Sequence, residues 1–481
     1  MAPGKRLLNL ETMNQAVLHV RVPVQGSVSA RAVEMQKEIN QGIIKPFRSI
    51  TKCHYADPQA MGHKPRTFLR QVVALCTYPD LLDTDHFAED AKHRAREILK
   101  KLDNGSVGSY NPNFIGRVMP PKIAKFIEQR DGGVPSDPRH IIVTGGTSKA
   151  VLNVLALVVN EEEPLKTGIV VPVPHYPLYS DAIALFGATK VEYVLDEEHG
   201  WAVNVDRIRE SLRTARKHCN PKVLCVLNPG NPTGHVLSRD NIEEIIRLAA
   251  EENLLLFADE VYQENVFAPG SVFHSLKKVL FEMGPEYSDR VQLVSIYSIS
   301  KGISGECGLR SGYIEFVNVE QAVFRHFDIL KSFDIPSIIA VLALEVLVDP
   351  PQPGDPSYET FQAEAQNRLS SQLEKARLAE EMLNRDPGIR CSPIQGALYA
   401  FPCIQIPERA ISLAQEQGQA PDVFFCHLLL EETGILVDGT SFGQEKGTSH
   451  FRISLLHPLE ELKSILEKIV EFHKKFHREY S

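Results

Sequence analysis

Between residues 140 and 317 short β-rich runs alternate with stretches of helical pattern. The runs fall at 141–144, 168–173, 190–195, 222–227, 254–258, 292–297 and 312–316, and amphipathic stretches such as 241–252 lie between them. That alternation predicts an α/β fold, a mainly parallel sheet covered on both faces by helices. No internal repeat or low-complexity segment interrupts it. The segment Asp349-Pro350-Pro351-Gln352-Pro353-Gly354-Asp355-Pro356 is a rigid, turn-rich break. Beyond it come a long helical pattern over 358–384, a strand-like run at 396–401, and a closing helix. That helix carries Leu462, Ile465, Leu466, Ile469, Phe472 and Phe476 on one stripe. These features predict a second, smaller α+β domain. Residues before about 95 lack a pattern of their own and are expected to join it. The expected division is an arm over 1–20, a discontinuous small domain of 21–95 with 350–481, and a large domain over 96–349.

A chain of 481 residues has room for two or three domain-sized units and a substantial core. Its 43% hydrophobic and 23% charged residues are those of an ordinary globular protein. A net charge of −9 argues against a nucleic-acid partner, and Lys474-Lys475 reads as the solvated side of a helix. Eight cysteines without any C-x-x-C spacing indicate neither a zinc site nor a disulfide framework, so no metal is expected. Reduced thiols suit an intracellular enzyme. The longest apolar runs are strand-length, and Met1-Ala2-Pro3-Gly4-Lys5-Arg6 has no hydrophobic core for secretion. A cytoplasmic protein with no membrane partner is the expectation.

Open α/β sheets bind ligands beyond the carboxyl ends of their strands, and three polar groups fall at such ends. Asn231 lies in Asn228-Pro229-Gly230-Asn231-Pro232-Thr233-Gly234, Asp259 in Ala258-Asp259-Glu260-Val261-Tyr262, and Lys301 in Ser298-Ile299-Ser300-Lys301-Gly302. A lysine leaving a buried strand, flanked by hydroxyls and followed nine residues later by Arg310, suits a phosphorylated aldehyde cofactor. Its amine would form a Schiff base with pyridoxal phosphate, while hydroxyls and the guanidinium would hold the phosphate. A carboxylate at Asp259 facing the pyridine nitrogen would keep it protonated and make the ring an electron sink. Asn231 and Tyr262 could hydrogen-bond the ring's phenolic oxygen. In Thr144-Gly145-Gly146-Thr147-Ser148-Lys149-Ala150, a glycine-rich entry to a helix makes a phosphate cradle. Tyr176 offers a ring for stacking. Arg452, within the apolar run Phe451 to Leu455, needs an anionic partner, and a substrate carboxylate held bidentately would supply one.

Each feature has a plainer reading: a helix cap for Asp259, a turn at Asn231, a βα turn at Gly146, a core ring at Tyr176, a salt bridge at Arg452. Three strand ends with complementary chemistry favour the joint reading over these separate ones.

Together these residues resemble the fold-type I, pyridoxal-phosphate-dependent aminotransferases of class I/II, and within them the alanine aminotransferase branch. The likeness runs from about Leu8 to Ser481. Its landmarks include Gln59-Ala60-Met61-Gly62, Thr67-Phe68-Leu69-Arg70-Gln71-Val72, Tyr176-Pro177-Leu178-Tyr179-Ser180, Leu195-Asp196-Glu197-Glu198, Gly305-Glu306-Cys307-Gly308 and Ser441-Phe442-Gly443-Gln444. The resemblance implies a large domain with a mainly parallel seven-stranded sheet. It implies Lys301 as the cofactor-linked lysine, Asp259 on the ring nitrogen, Asn231 and Tyr262 on the phenolic oxygen, and Tyr176 stacked on the ring. Gly146, Thr147, Ser148, Ser298 and Arg310 would bind phosphate, and Arg452 the substrate α-carboxylate. Tyr110 would reach the neighbouring subunit's cofactor in a homodimer with shared sites. The implied reaction is L-alanine with 2-oxoglutarate to pyruvate with L-glutamate, by a ping-pong route. Alternatives are an aminotransferase for aromatic or kynurenine-type substrates, an α-carbon lyase, or a cofactor-binding homologue with weak or lost activity.

Departures from the family pattern gather on the substrate side. His54-Tyr55-Ala56 replaces Asn-Ile-Gly, so the Ala56 methyl is expected to crowd the site. Positions 111–114 and 438–441 also differ. The phosphate loop has Gly146-Thr147 for Gly-Ala, and Ser311 follows Arg310 where glycine is usual.

Overall fold

The structure is a computed structural model that describes residues 10–20, 26–332, 335–439 and 442–481. Part of the expected arm over 1–20, and Thr440 and Ser441 within the departing stretch 438–441, therefore lie outside the described residues. Among the described residues no helix is long and apolar enough to cross a membrane.

Seven strands form the central sheet: β1 (Ile141–Thr144), β2 (Thr167–Val173), β3 (Thr189–Val194), β4 (Asn220–Leu227), β5 (Leu255–Asp259), β6 (Leu293–Ser298) and β7 (Gly312–Val317). Their spatial order is β1-β7-β6-β5-β4-β2-β3. The pairs β2–β3, β2–β4, β4–β5 and β5–β6 are parallel, and β7 runs antiparallel to both of its neighbours. β2, β5, β6 and β7 are buried at nearly every position because both faces are covered. Along β4, Leu224 and Val226 join one core with the helices Val205–Ala215 and Arg239–Glu252, while Val223 and Cys225 join another with Thr147–Val158 and Leu178–Leu185.

Register brings one end of the sheet together. Thr144 pairs with Gly312, Gly312 with Ser298, and Asp259 with Leu227 on one side and Ile296 on the other. Gly312 has no substitute here: a Cβ would meet the Tyr297 carbonyl oxygen and Ser298 at or inside contact distance. The carboxyl ends of β1, β4, β5 and β6 thus line one rim.

A separate core gathers the helices Ser27–Asn40, Tyr358–Leu383, Pro421–Thr433 and Leu459–Tyr480, with Leu462, Ile465, Leu466, Ile469, Phe472 and Phe476 all buried in it. The helices Thr67–Thr77 and Glu89–Leu99 pack elsewhere. Phe68, Leu69, Val72, Ala91 and Ala95 share a core with Met119–Arg130, Ile338–Val348 and the sheet residues Ile141 and Val143. The strand-like run 396–401 is a strand only at Tyr399–Ala400. Ala397 adopts φ +59°, and residues 395–397 bond to the Gly234 and Asn265 turns instead of extending a ladder.

Candidate active site

Beyond the rim lies a cavity of about 260 Å³, lined by residues from the sheet ends and by Tyr55, Ala56, Tyr399 and Arg452 from the segments outside the sheet. Ala56, Thr147, Ser148, Tyr176, Asn231, Asp259, Tyr262, Ser298, Lys301, Arg310 and Arg452, far apart in sequence, all line it. Gly146 stands just behind, with the position of a would-be Cβ 3.3 Å from Arg310 Nη2. Tyr110 is the exception: it lies outside the cavity and is 80% exposed.

Lys301 leaves β6 by a short turn and directs Nζ into the cavity, donating to the Ala56 carbonyl at 2.7 Å. Cys307 Sγ lies 3.7 Å from the same nitrogen. Burial lowers the amine's pKa, but Tyr399, Cys307 and Tyr176 outweigh it and the net shift is upward. Ala56 lines the cavity and belongs to an apolar cluster with Val261, Tyr262, Leu398 and Tyr399.

Asp259, 5% exposed, ends β5 and accepts from Tyr179 Oη at 2.8 Å. Burial pushes its carboxyl up to about 6, with the Tyr179 bond and the Val261 N–H pulling the other way. Among the described residues no cation pairs with it. A buried carboxylate of this kind is a receptor for a positive group.

Arg452 is 1% exposed and likewise has no carboxylate partner among the described residues. Its Nη1 donates to Asn231 Oδ1 at 3.0 Å and its Nη2 to the His54 carbonyl, while Nε has no partner. The guanidinium sits 4.2 Å from the Tyr399 ring centroid and 4.3 Å from that of Phe442. His54 stays neutral beside it, pushed down to about 3 by burial and then by Arg452 and Lys52. A buried guanidinium held by neutral groups is poised for an anion.

The third charged feature is a cradle. Gly146, at φ +93°, opens the helix Thr147–Val158, whose first residues line the cavity beside Arg310. Arg310 Nη1 donates to Ser300 Oγ at 3.3 Å and to the Cys307 carbonyl at 3.0 Å, with no carboxylate partner among the described residues. Free helix N–H groups, hydroxyls and a guanidinium make an anion site.

Some contributors escaped the sequence reading. Tyr399 accepts from Tyr262 Oη at 3.3 Å and faces Arg452, yet its run was legible only as a strand. Burial raises the Tyr399 phenol, but Lys301 and Arg452 together with the Tyr262 bond bring it below its ordinary value. Ser300, Cys307 and Tyr179 sat inside quoted motifs without an assigned part. The role of Gln59, Arg70 and Glu306 also became visible: Arg70 Nη2 meets Glu306 Oε2 at 2.6 Å, and Gln59 Nε2 meets the same oxygen at 2.8 Å. This network ties the segment carrying Ala56 to the turn after Lys301. Asn111 holds the turn that presents Tyr110, accepting from Asp103 N–H at 2.6 Å and donating to the Ser106 and Ser109 carbonyls at 2.9 Å.

Comparison with known proteins bears on these features together. The chain is 52% identical over 478 residues to alanine aminotransferase 2 of Xenopus tropicalis, covering 99% of this chain and 91% of the relative. It is 49% identical to alanine aminotransferase 1 of Homo sapiens, covering 99% and 96%. A solved alanine aminotransferase from Pyrococcus furiosus shares the fold at 22% identity, with a TM-score of 0.71 over 96% of this chain and 99% of that one. The family model "Aminotransferase class I and II" matches residues 70–469. This chain therefore belongs to the class I and II aminotransferases, pyridoxal-phosphate-dependent transaminases of fold type I.

Proposed function

We propose that the protein transfers the amino group of L-alanine to 2-oxoglutarate, yielding pyruvate and L-glutamate, in two half-reactions at one cavity. The observation that carries this reading is Lys301 Nζ projecting into a cavity that a buried carboxylate and a buried guanidinium also line, neither with a counter-ion among the described residues. The alanine preference is supported by the names of the relatives at about half identity.

The residues present fit pyridoxal phosphate. Asp259 would hold a protonated ring nitrogen, which meets its need for a cation. Gly146, Thr147, Ser148, Ser298 and Arg310 would hold the phosphate, in a gap that a Cβ at Gly146 would narrow. Tyr176 would lie against the ring, and Asn231 and Tyr262 would face its phenolic oxygen. When bound, the cofactor supplies an aldehyde that captures amines and a cationic ring that withdraws electrons.

The chain's own groups do the rest. Arg452 would grip the substrate α-carboxylate, held in place by Asn231, the His54 carbonyl and the Tyr399 and Phe442 rings. Lys301 Nζ would take the α-proton and return it later in the half-reaction, acting as base and then acid. Tyr399, turned toward both cations, would help hold charge on the substrate side.

The homodimer belongs to this proposal, supported by the exposure of Tyr110 outside its own subunit's cavity. So does the two-domain division, and the shared core of 67–99 with Met119–Arg130 supports assigning those helices to the large unit. Eight cysteines without a disulfide support a reducing compartment such as the cytosol.

Purified protein loaded with cofactor and given 2-oxoglutarate should convert L-alanine faster than any other amino acid in a panel, with one glutamate formed per pyruvate. A faster aromatic or kynurenine-type donor, or no keto acid from any donor, overturns the alanine assignment.

A further inference from the structure

Outside the cavity, three segments far apart in sequence bring a thiol, an imidazole and a carboxylate together. Glu197 opens the single turn Glu197–His199 that follows β3. Cys403 begins the short strand Cys403–Ile404, and His450 bridges antiparallel to it. One donor atom from each lies within 4.8 Å of the others. His450 Nε2 is 3.2 Å from Glu197 Oε2. A tetrahedral zinc ion with bonds of about 2.0–2.1 Å to nitrogen and oxygen has an N···O edge of about 3.3 Å.

The imidazole is held as a metal ligand needs to be. Its ring stacks on Phe401 with centroids 4.8 Å apart and planes 5° from parallel. Its Nδ1 meets Gln444 Oε1 at 3.2 Å, which fixes the proton there and leaves the Nε2 lone pair for the cluster. Arg390 Nη2 stands 3.1 Å from the other Glu197 oxygen, Oε1, and orients the carboxylate. Glu197, with its side chain 12% exposed, and half-buried Cys403 leave a way in and room for a water.

We propose that Cys403, His450 and Glu197 bind one zinc ion, with water as the fourth ligand. A thiolate and a carboxylate neutralise the dication, and the soft thiolate with imidazole selects zinc over magnesium or calcium. The bound ion clasps the turn after β3 to the segment that continues from His450 to Arg452, so it stabilises the fold without entering the reaction.

Dialysis of the metal-stripped holoenzyme against zinc should leave one equivalent bound, and zinc-edge X-ray absorption should show one sulfur among nitrogen and oxygen neighbours. The thermal midpoint should rise with zinc. Cys403→Ser should weaken binding at least ~100-fold and remove the sulfur signal, while alanine turnover of the metal-free enzyme stays unchanged. His450→Gln should weaken binding similarly. Retention of zinc with a sulfur neighbour in Cys403→Ser would move the ion to another thiol, such as Cys307, and overturn the proposal. No zinc retained by the unmutated enzyme would overturn it as well.

Discussion

The buried carboxylate of Asp259 makes the cofactor-free protein sensitive to pH in a defined direction. Its carboxyl is raised from 3.8 to about 6, so the folded state holds that proton more tightly than the unfolded chain. Stability therefore falls as pH rises from about 4 to about 6, and the full penalty, roughly 3 kcal/mol, applies above that window. Asp259→Asn keeps an acceptor for Tyr179 and removes the charge. Cofactor-free Asp259→Asn should melt above the unmutated protein at pH 8, with the gap closing near pH 4 in a calorimetric series. With cofactor bound the order should reverse, because the ring nitrogen loses its counter-ion. Equal melting at pH 8 would refute the buried-anion account. Arg452→Lys trades a planar fork for a point charge. It should lower kcat/KM for alanine by about 10²–10³, roughly 3–4 kcal/mol of carboxylate binding, in steady-state assays. An unchanged value would move the carboxylate site elsewhere.

At the scale of elements, the turn between β1 and the helix Thr147–Val158 carries the sharpest expectation. Gly146 sits at φ +93°, and a methyl there would press on Arg310 Nη2. Gly146→Ala should weaken cofactor affinity about 10-fold, from roughly 1–2 kcal/mol of backbone strain and displacement of the guanidinium. Titration of the apoprotein with pyridoxal phosphate measures this, and unaltered affinity would show that the phosphate lies elsewhere. All seven central strands were legible from sequence within a residue or two, since a buried run flanked by turns carries its own signature. Two-residue strands such as Thr51–Lys52 and Ile389–Arg390 were not. Their pairing comes from a neighbouring segment rather than from any periodicity of their own.

For the whole molecule, the decisive expectation concerns the dimer. If Tyr110 serves the partner's cavity, Lys301→Ala and Tyr110→Ala variants should each lose most turnover, Lys301→Ala by at least about 10³-fold. Mixed and re-equilibrated, they should regain activity, because a hybrid dimer builds one native cavity from the intact halves of each chain. Failure to regain activity, with hybrid dimers demonstrated by mass, would confine Tyr110 to its own subunit. The long helix beyond the proline-rich break at 349–356 was legible from its pattern, and it forms as Tyr358–Leu383. The packing of 67–99 was not, because an amphipathic helix declares that it has a buried face without declaring what covers it.

The sequence by itself determined the alternating sheet, the lysine at a strand end, the carboxylate at another and the glycine-rich turn beside them. Each of these is local, with its meaning held in a few consecutive residues. Only the tertiary structure decided what shares space: Tyr399 against Arg452, Cys307 beside Lys301, and Cys403 with His450 and Glu197. Such neighbours come from separate elements, and their contact depends on how those elements pack, which no spacing along the chain encodes.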